Sequence, residues 1–368
     1  VVGELSNLAF VEIRNLGEDE NETVFFGRER FRHANSLSTK TDNFYFEGNY
    51  YAGDHTIKAG FEIQQNDIFN VFLRDALGNY RFDSLDDFIN GDVGRYRYNV
   101  GVDPNDPTPA ADWAWKNTGL FIQDNWLVND KLTLQYGLRW DKPSTSDAPL
   151  LNPGFEAAFG YSNQNVIDEG VLQPRIGFNY DMSGERDMQL RGGVGVFSGG
   201  SPNVWLSNPF TNPGGNVNSY EVFNGSSAYV PNGLAQVEPG AANPPAQNVD
   251  TIAPGFKLPT VIKSNIALDA ELPWYGLQAS VEYEYIKQQN GIFYKHLNLG
   301  APTGFLPDGR LTYYDDPLTL SGSRANANPA YRDVYELSNS GRGDTSRTTI
   351  SLEKTTEHFF VKGSYTLS

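Results

Sequence analysis

Apolar and polar residues alternate one by one along much of this chain. Between 131 and 141, Leu132, Leu134, Tyr136, Leu138 and Trp140 fall on one side, and Thr133, Gln135, Gly137, Arg139 and Asp141 on the other. A period of two sends neighbouring side chains to opposite faces of a β-strand. Here one face is oily throughout and ends in a tryptophan, while the other carries charge. The pattern returns with Ile57, Ala59, Phe61 and Ile63 against Lys58, Gly60, Glu62 and Gln64, and with Ile176, Phe178 and Tyr180 against Arg175, Gly177 and Asn179. It returns again with Leu190, Val194 and Val196 against Gln189, Arg191 and Gly193, and with Val281, Tyr283 and Tyr285 against Ser280, Glu282 and Glu284. Ile350 and Leu352, then Phe359, Val361, Tyr365 and Leu367, close the series. Each oily stripe approaches the roughly 9–11 residues that a tilted strand needs to cross a bilayer.

The alternation predicts paired strands near 39–52 and 55–71, 117–127 and 131–141, 171–181 and 187–198, 260–271 and 277–289, and 345–354 and 358–367, with a further strand near 5–13. Within a pair the connection is about two to five residues; between pairs it is about 30 to 60, far beyond the usual loop of a compact domain. Short turns on one side and long loops on the other are the habit of outer-membrane barrels. The expected fold is therefore all-β: an antiparallel up-and-down transmembrane β-barrel, partial at about ten to twelve strands, with short periplasmic turns and long extracellular loops. One barrel domain would occupy residues 1–368.

Composition sharpens this picture. Hydrophobic residues make up 39% and aromatics 13%, and no run of about 18 apolar residues exists, which excludes helical membrane spans. A barrel survives the same test, because only alternate residues must be oily. The net charge of -17 comes without a basic stripe, so nucleic acid is not an expected partner. The absence of cysteine fits an envelope protein that needs no disulfides. The cluster Glu18, Asp19, Glu20 and Glu22 reads as a solvated acidic surface, or as a divalent-cation site bridging to surface lipids. Asp103, Asn105, Asp106 and Asp112 offer oxygens to calcium, but intervening prolines and the missing EF-hand Gly and Glu weigh against that. No other cofactor is expected. The chain starts at Val1 without an export signal and stops at Ser368 inside a strand pattern, which reads as a piece of a longer exported protein.

Candidate residues emerge from the two faces and the loops. Glu62, Arg139, Arg175, Arg191, Glu282 and Glu284 are expected on the lumen face, pairing across the wall, meeting whatever fills the tube, or guiding ligand. Trp126, Trp140, Trp274 and Tyr275 are expected in the interfacial aromatic girdles. The stretch 199–258, rich in Asn, Pro and Gly, reads as an irregular exposed loop, and its Trp205, Phe210, Tyr220, Phe223 and Tyr229 are candidate ligand contacts. Residues 84–90 read as a short helix capped by Ser84. RGGVGVFSGG at 191–200 lacks the last glycine of a nucleotide-binding loop and runs on into Ser201–Pro202, so strand glycines are the better reading. His33, His55, His296 and His358 have no zinc spacing, Arg342–Gly343–Asp344 reads as chance in a polar loop, and no nucleophile–base motif marks an enzyme.

Three strings carry a family resemblance. GLFIQDNWLVNDKLTLQYGLRWD at 119–141 resembles a hairpin of TonB-dependent outer-membrane transporters. QPRIGFNYDMSGERDMQLRGGVGVF at 173–197 and SRTTISLEKTTEHFFVKGSYTLS at 346–368 are similar to hairpins of their Oar-like branch. The resemblance implies a 22-stranded barrel, an N-terminal plug in the lumen, and a segment that couples to the TonB complex; neither plug nor coupling segment is recognisable in this chain. It further implies outer-membrane lipid and lipopolysaccharide as surroundings, and import of a scarce large ligand of siderophore, peptide or glycan class. Two other functions compete: a structural or adhesive barrel without transport, and a soluble all-β glycan-binding protein whose oily faces would pack against a second sheet.

Overall fold

The computed structural model describes residues 7–16, 22–225, 227–240 and 246–368, so Glu18, Asp19 and Glu20 lie outside the described residues. In chain order the strands are β1 (Phe10–Leu16), β2 (Glu22–Phe26), β3 (Ala34–Ala52), β4 (His55–Leu73), β5 (Asn79–Phe82), β6 (Arg95–Gly101), β7 (Ala110–Asn129) and β8 (Leu132–Ser144). Then come β9 (Val171–Asp181), β10 (Met188–Ser198), β11 (Val217–Phe223), β12 (Gln247–Ile252), β13 (Thr260–Glu271), β14 (Gln278–Gln288) and β15 (Gly291–His296). Last are β16 (Gly304–Phe305), β17 (Leu311–Thr312), β18 (Tyr314–Asp316), β19 (Ser321–Arg324), β20 (Tyr331–Ser340), β21 (Asp344–Thr355) and β22 (Phe360–Leu367). Three helices, α1 (Leu85–Asn90), α2 (Pro153–Phe159) and α3 (Asn203–Thr211), lie in the long connections.

Ten of these strands form one antiparallel wall in the order β22-β21-β14-β13-β10-β9-β8-β7-β4-β3, which is the set of five hairpins that the alternation predicts. Tight turns build it. Gly53 takes φ 60° between β3 and β4, a left-handed conformation glycine enters without a Cβ clash. Between β7 and β8 the Asn129 side chain accepts from the amides of Lys131 and Leu132 at 2.9 and 3.0 Å, closing the turn by itself. The wall is open: β3 and β22 end the sheet without a further partner among the described residues.

The wall has two faces. Register places Phe44 beside Ile63, Phe46 beside Phe61 and Tyr50 beside Ile57, continuing across β7 and β8 as Leu120–Trp140 and Ile122–Leu138. These large apolar side chains stand half exposed, Phe44 at 59% and Ile122 at 52%, as one continuous apolar surface. Above Phe44 and Ile63 the stripe stops. Lys40, Asp42 and Asp67 take the same face, with Lys40 Nζ 2.5 Å from Asp42 and 4.0 Å from Asp67, so the apolar band ends there.

β3 and β4 are each 19 residues long and β7 is 20, about twice what a bilayer requires. Their excess length changes character on the opposite face. Where that face carries Glu62 lower down, it carries Ile68, Ala111, Trp113 and Trp115 higher up, all buried. These pack with Leu206 of α3, Ile252 of β12 and Leu337 of β20 in one dry cluster, and Trp113 Nε1 donates to Ser207 Oγ of α3 at 2.9 Å. The long connections thus fold over the polar side of the wall and are fastened to it.

Two expectations need correction. The strand expected near 5–13 exists as β1, but it belongs to a five-stranded outer sheet, β11-β6-β5-β1-β2. Its Val11 and Ile13 are buried with Tyr80, Phe82 and Tyr96, and its seven residues are too few to cross a membrane. The stretch 199–258 is not simply irregular: it holds α3, β11 and β12. β11 pairs with β6 and β12 runs parallel to β20, partners so distant in sequence that local composition carries no trace of them. The helix expected at 84–90 is present, with Ser84 Oγ accepting from the Asp87 amide at 3.0 Å.

Candidate functional site

The charged face of the wall is an array of matched ions. Arg139 on β8 reaches Asp141 through Nε and Nη2 at 2.9 and 2.7 Å, and Glu62 on β4 at 2.9 Å. The position between them on β7 is Gly119, where a Cβ would come within 2.5 Å of the Arg139 guanidinium and 2.8 Å of the Asp141 carboxylate. Glycine there lets the Arg fork lie flat across three strands. Asp141 also accepts from the buried Gln173 on β9. Further round, Arg191 donates to Asp269 at 2.8 Å and stands 3.6 Å from Glu282, while Glu284 pairs with Arg347 at 2.6 Å.

Arg175 is different. Its Nη2 donates to Gln173 Oε1 at 3.1 Å, its guanidinium lies 4.5 Å from the centre of the Phe197 ring, and among the described residues it makes no ion pair. A trough of about 670 Å³ runs along this face, lined by Arg139, Arg175, Lys58, Lys263, Tyr45 and Phe121 among others. Tyr45 stacks on Phe121 at 5.8 Å, so aromatic surfaces alternate with cations along its length.

All six residues expected on the lumen side therefore share one face, and five of them are joined in ion pairs. Of the partners, Asp141 already stands with Arg139 on the charged stripe of 131–141, and the same alternation places Asp269 and Arg347 on that face, although neither is a candidate in the sequence. Gln173, which ties Arg175 to Asp141, has no sequence signal beyond its parity.

The loop aromatics divide. Phe210 stacks on Trp113 at 4.7 Å, and Tyr229 meets Tyr80 and Phe82 edge-on at 5.1 and 5.4 Å; both serve the loop cores. Burial raises the Tyr229 phenol above its ordinary value. Tyr220 donates to Glu238, and withdrawal from water together with that carboxylate pushes its pKa up to about 12. Trp205 and Phe223 keep large exposed surfaces, Trp205 meeting Tyr294 edge-on at 5.7 Å. Of the girdle candidates, Trp126 stacks on His55 at 5.2 Å beside the short turns. Trp274 and Tyr275 project from the β13–β14 turn, and Trp140 sits level with Phe61, just below the top of the apolar band. Asp103 closes a turn onto Asn105 at 2.9 Å, and among the described residues no three metal-ligating side chains converge.

Comparisons with known proteins agree with this geometry. A family profile described as "Outer membrane beta barrel domain" matches residues 20–368. The outer-membrane transporter YddB from Escherichia coli superposes with a TM-score of 0.52 at 13% identity, over 94% of this chain and 34% of that one. The ferric enterobactin receptor PfeA from Pseudomonas aeruginosa gives 0.47 at 14% identity, over 92% and 35%. The chain thus spans about a third of the length of these structures. No curated protein matches it.

Proposed function

The chain belongs to the outer-membrane β-barrel domain family, and from that premise we propose that it forms part of the wall and outer canopy of a TonB-dependent uptake channel. Residues 1–368 contribute one stretch of the barrel, and further strands pair with β3 and β22 to close it, because an open edge in lipid leaves backbone groups unsatisfied. The ion-paired face turns to the lumen, the Phe44–Ile63 face to lipid and lipopolysaccharide, and the trough near Arg175 receives the plug or the cargo. The hairpin strings favour the Oar-like branch, and a ligand of siderophore, peptide or glycan class fits the architecture.

One observation carries this reading. The long connections are seated on the same side of β4 and β7 as the charged face, through Trp113, Leu206 and Leu337, so a ligand captured by them is delivered to the channel rather than to the lipid side. Support also comes from the structural neighbour YddB, an outer-membrane transporter by name. The test is to delete residues 199–258 from the protein at its natural length and to follow ligand accumulation in cells with and without the TonB complex. Loss of accumulation in both cases, with heat-modifiable barrel migration retained, is the expected result. Undiminished accumulation after the deletion, or without the TonB complex, would overturn it.

A further inference from the structure

Connections far apart in sequence meet at the outer end of the wall around a recess of about 260 Å³. Part of its lining is the parallel pair β12–β20, where Asp250 registers with Tyr335. Asp333, two residues before Tyr335, shares that face. Phe72 and Arg74, at the outer end of β4, and Asn212 line it as well.

The two carboxylates in the recess are not equivalent. Asp333 accepts from Arg324 at 2.7 Å and from His296 at 3.3 Å, with Arg332 at 3.9 Å, so its charge is matched. Asp250 Oδ2 accepts from the Asn212 side-chain amide at 2.7 Å, a neutral donor, and it makes no ion pair among the described residues. Withdrawal from water, added to by Asp333 and opposed by Asn212, raises its pKa to about 6. Arg74 is exposed and likewise has no carboxylate within ion-pair distance among the described residues. A carboxylate lacking a cation and a guanidinium lacking an anion thus line one small recess, beside the rings of Phe72 and Tyr335. Aromatic faces next to a carboxylate are the usual surroundings of an ammonium group. The volume falls just short of the roughly 300–1,000 Å³ typical of ligand sites, which selects a compact ligand.

We propose that this recess binds a small zwitterion, its primary ammonium on Asp250 and its carboxylate on Arg74, which is the chemistry of a free amino acid or a dipeptide. The proposal deepens the uptake reading by narrowing the cargo to free amino acids and the shortest members of the peptide class, and it rests on that reading only for the transport step after capture.

The test is calorimetric titration of the natural-length protein in detergent, which needs no energy source. The probes are L-alanine, L-alanyl-L-alanine, the N-acetylated dipeptide and the dipeptide amide. Saturable binding of at least one zwitterion is expected, and the stronger of the two identifies the source. Acetylation abolishes binding, and Asp250→Asn weakens it by about tenfold or more. Arg74→Gln weakens the free dipeptide while leaving its amide unchanged. Binding falls from about pH 7.5 to about pH 5 as Asp250 takes up its proton. Of the groups around the two carboxylates, Arg74, Arg324 and Arg332 are cations, burial holds the Tyr294 and Tyr335 phenols above their ordinary values, and burial lowers the His296 imidazole below its own. Loss of the pH dependence in Asp250→Asn assigns it to the carboxyl. Equal binding of the acetylated dipeptide, unchanged affinity in Asp250→Asn, or no binding of either zwitterion would overturn the proposal. Uptake that persists without such binding overturns this inference alone, whereas binding without TonB-dependent uptake counts against the uptake reading alone.

Discussion

Because Asp250 holds its proton more tightly when folded than when unfolded, its contribution to stability is fully present below the ordinary carboxylate pKa near 3.8 and is lost as pH rises through about 6. Removing the charge while keeping the shape therefore favours the empty folded state at neutral pH. Asp250→Asn is expected to raise the urea midpoint of the outer loop region at neutral pH and to leave it unchanged in acid, even as it weakens ligand binding; a lowered midpoint at neutral pH would show the carboxylate to be matched after all. Gly119 makes the opposite case, a residue defined by what it leaves empty. Gly119→Val sets a branched side chain against the Arg139 fork and Asp141. It should lower thermal stability by about 1–3 kcal/mol, read as a lower temperature for the shift in heat-modifiable migration, with Gly119→Ala falling between.

At the level of elements, a polar tie joins β4, β7 and β8 near the short turns. His55 Nδ1 and the Tyr136 hydroxyl both lie 2.7 Å from Asp124 Oδ2, on the face that carries the apolar band. Asp124→Leu removes the charge, yet it strands two polar partners there. It should lower the temperature of barrel unfolding, whereas the double change Asp124→Leu with Tyr136→Phe should recover part of the loss. The canopy has its own element-scale test. Leu206→Ala opens a cavity beneath α3 at a cost of about 2–5 kcal/mol, expected as faster amide exchange in 199–258 with protection of β7 and β8 unchanged. The ten wall strands were legible in the sequence because each carries its own alternation, and so was the charged face, because parity assigns it; which ions pair across it depends on register between strands. The parallel pairs β1–β5 and β12–β20 were not, since they join segments about 70 or more residues apart. Asp250 escaped notice for the same reason: in the sequence it stands in an Asn- and Pro-rich stretch, and only β20 and α3 give it surroundings.

For the whole molecule, residence in the outer membrane accounts for what would be faults in a soluble protein. A sheet with apolar side chains half exposed over most of one face would associate in water; in a bilayer that face is solvated by hydrocarbon. The open edges at β3 and β22 remain the exception. Expressed by itself in detergent, the stretch 1–368 is expected to lose the heat-modifiable migration of a closed barrel and to be cleaved by protease near β3 and β22. The natural-length protein should resist, and equal resistance of both would mean that ten strands close or self-pair.

The change of character along β4 and β7 has a consequence for how such proteins diversify. A slip of one residue would carry Lys58 and Glu62 to the apolar face at one end and expel Ile68 and Trp113 from their dry cluster at the other, so these staves are keyed at two heights. With alignment secured from both ends, the crown above can be lengthened, shortened or rewritten while the staves beneath keep their places.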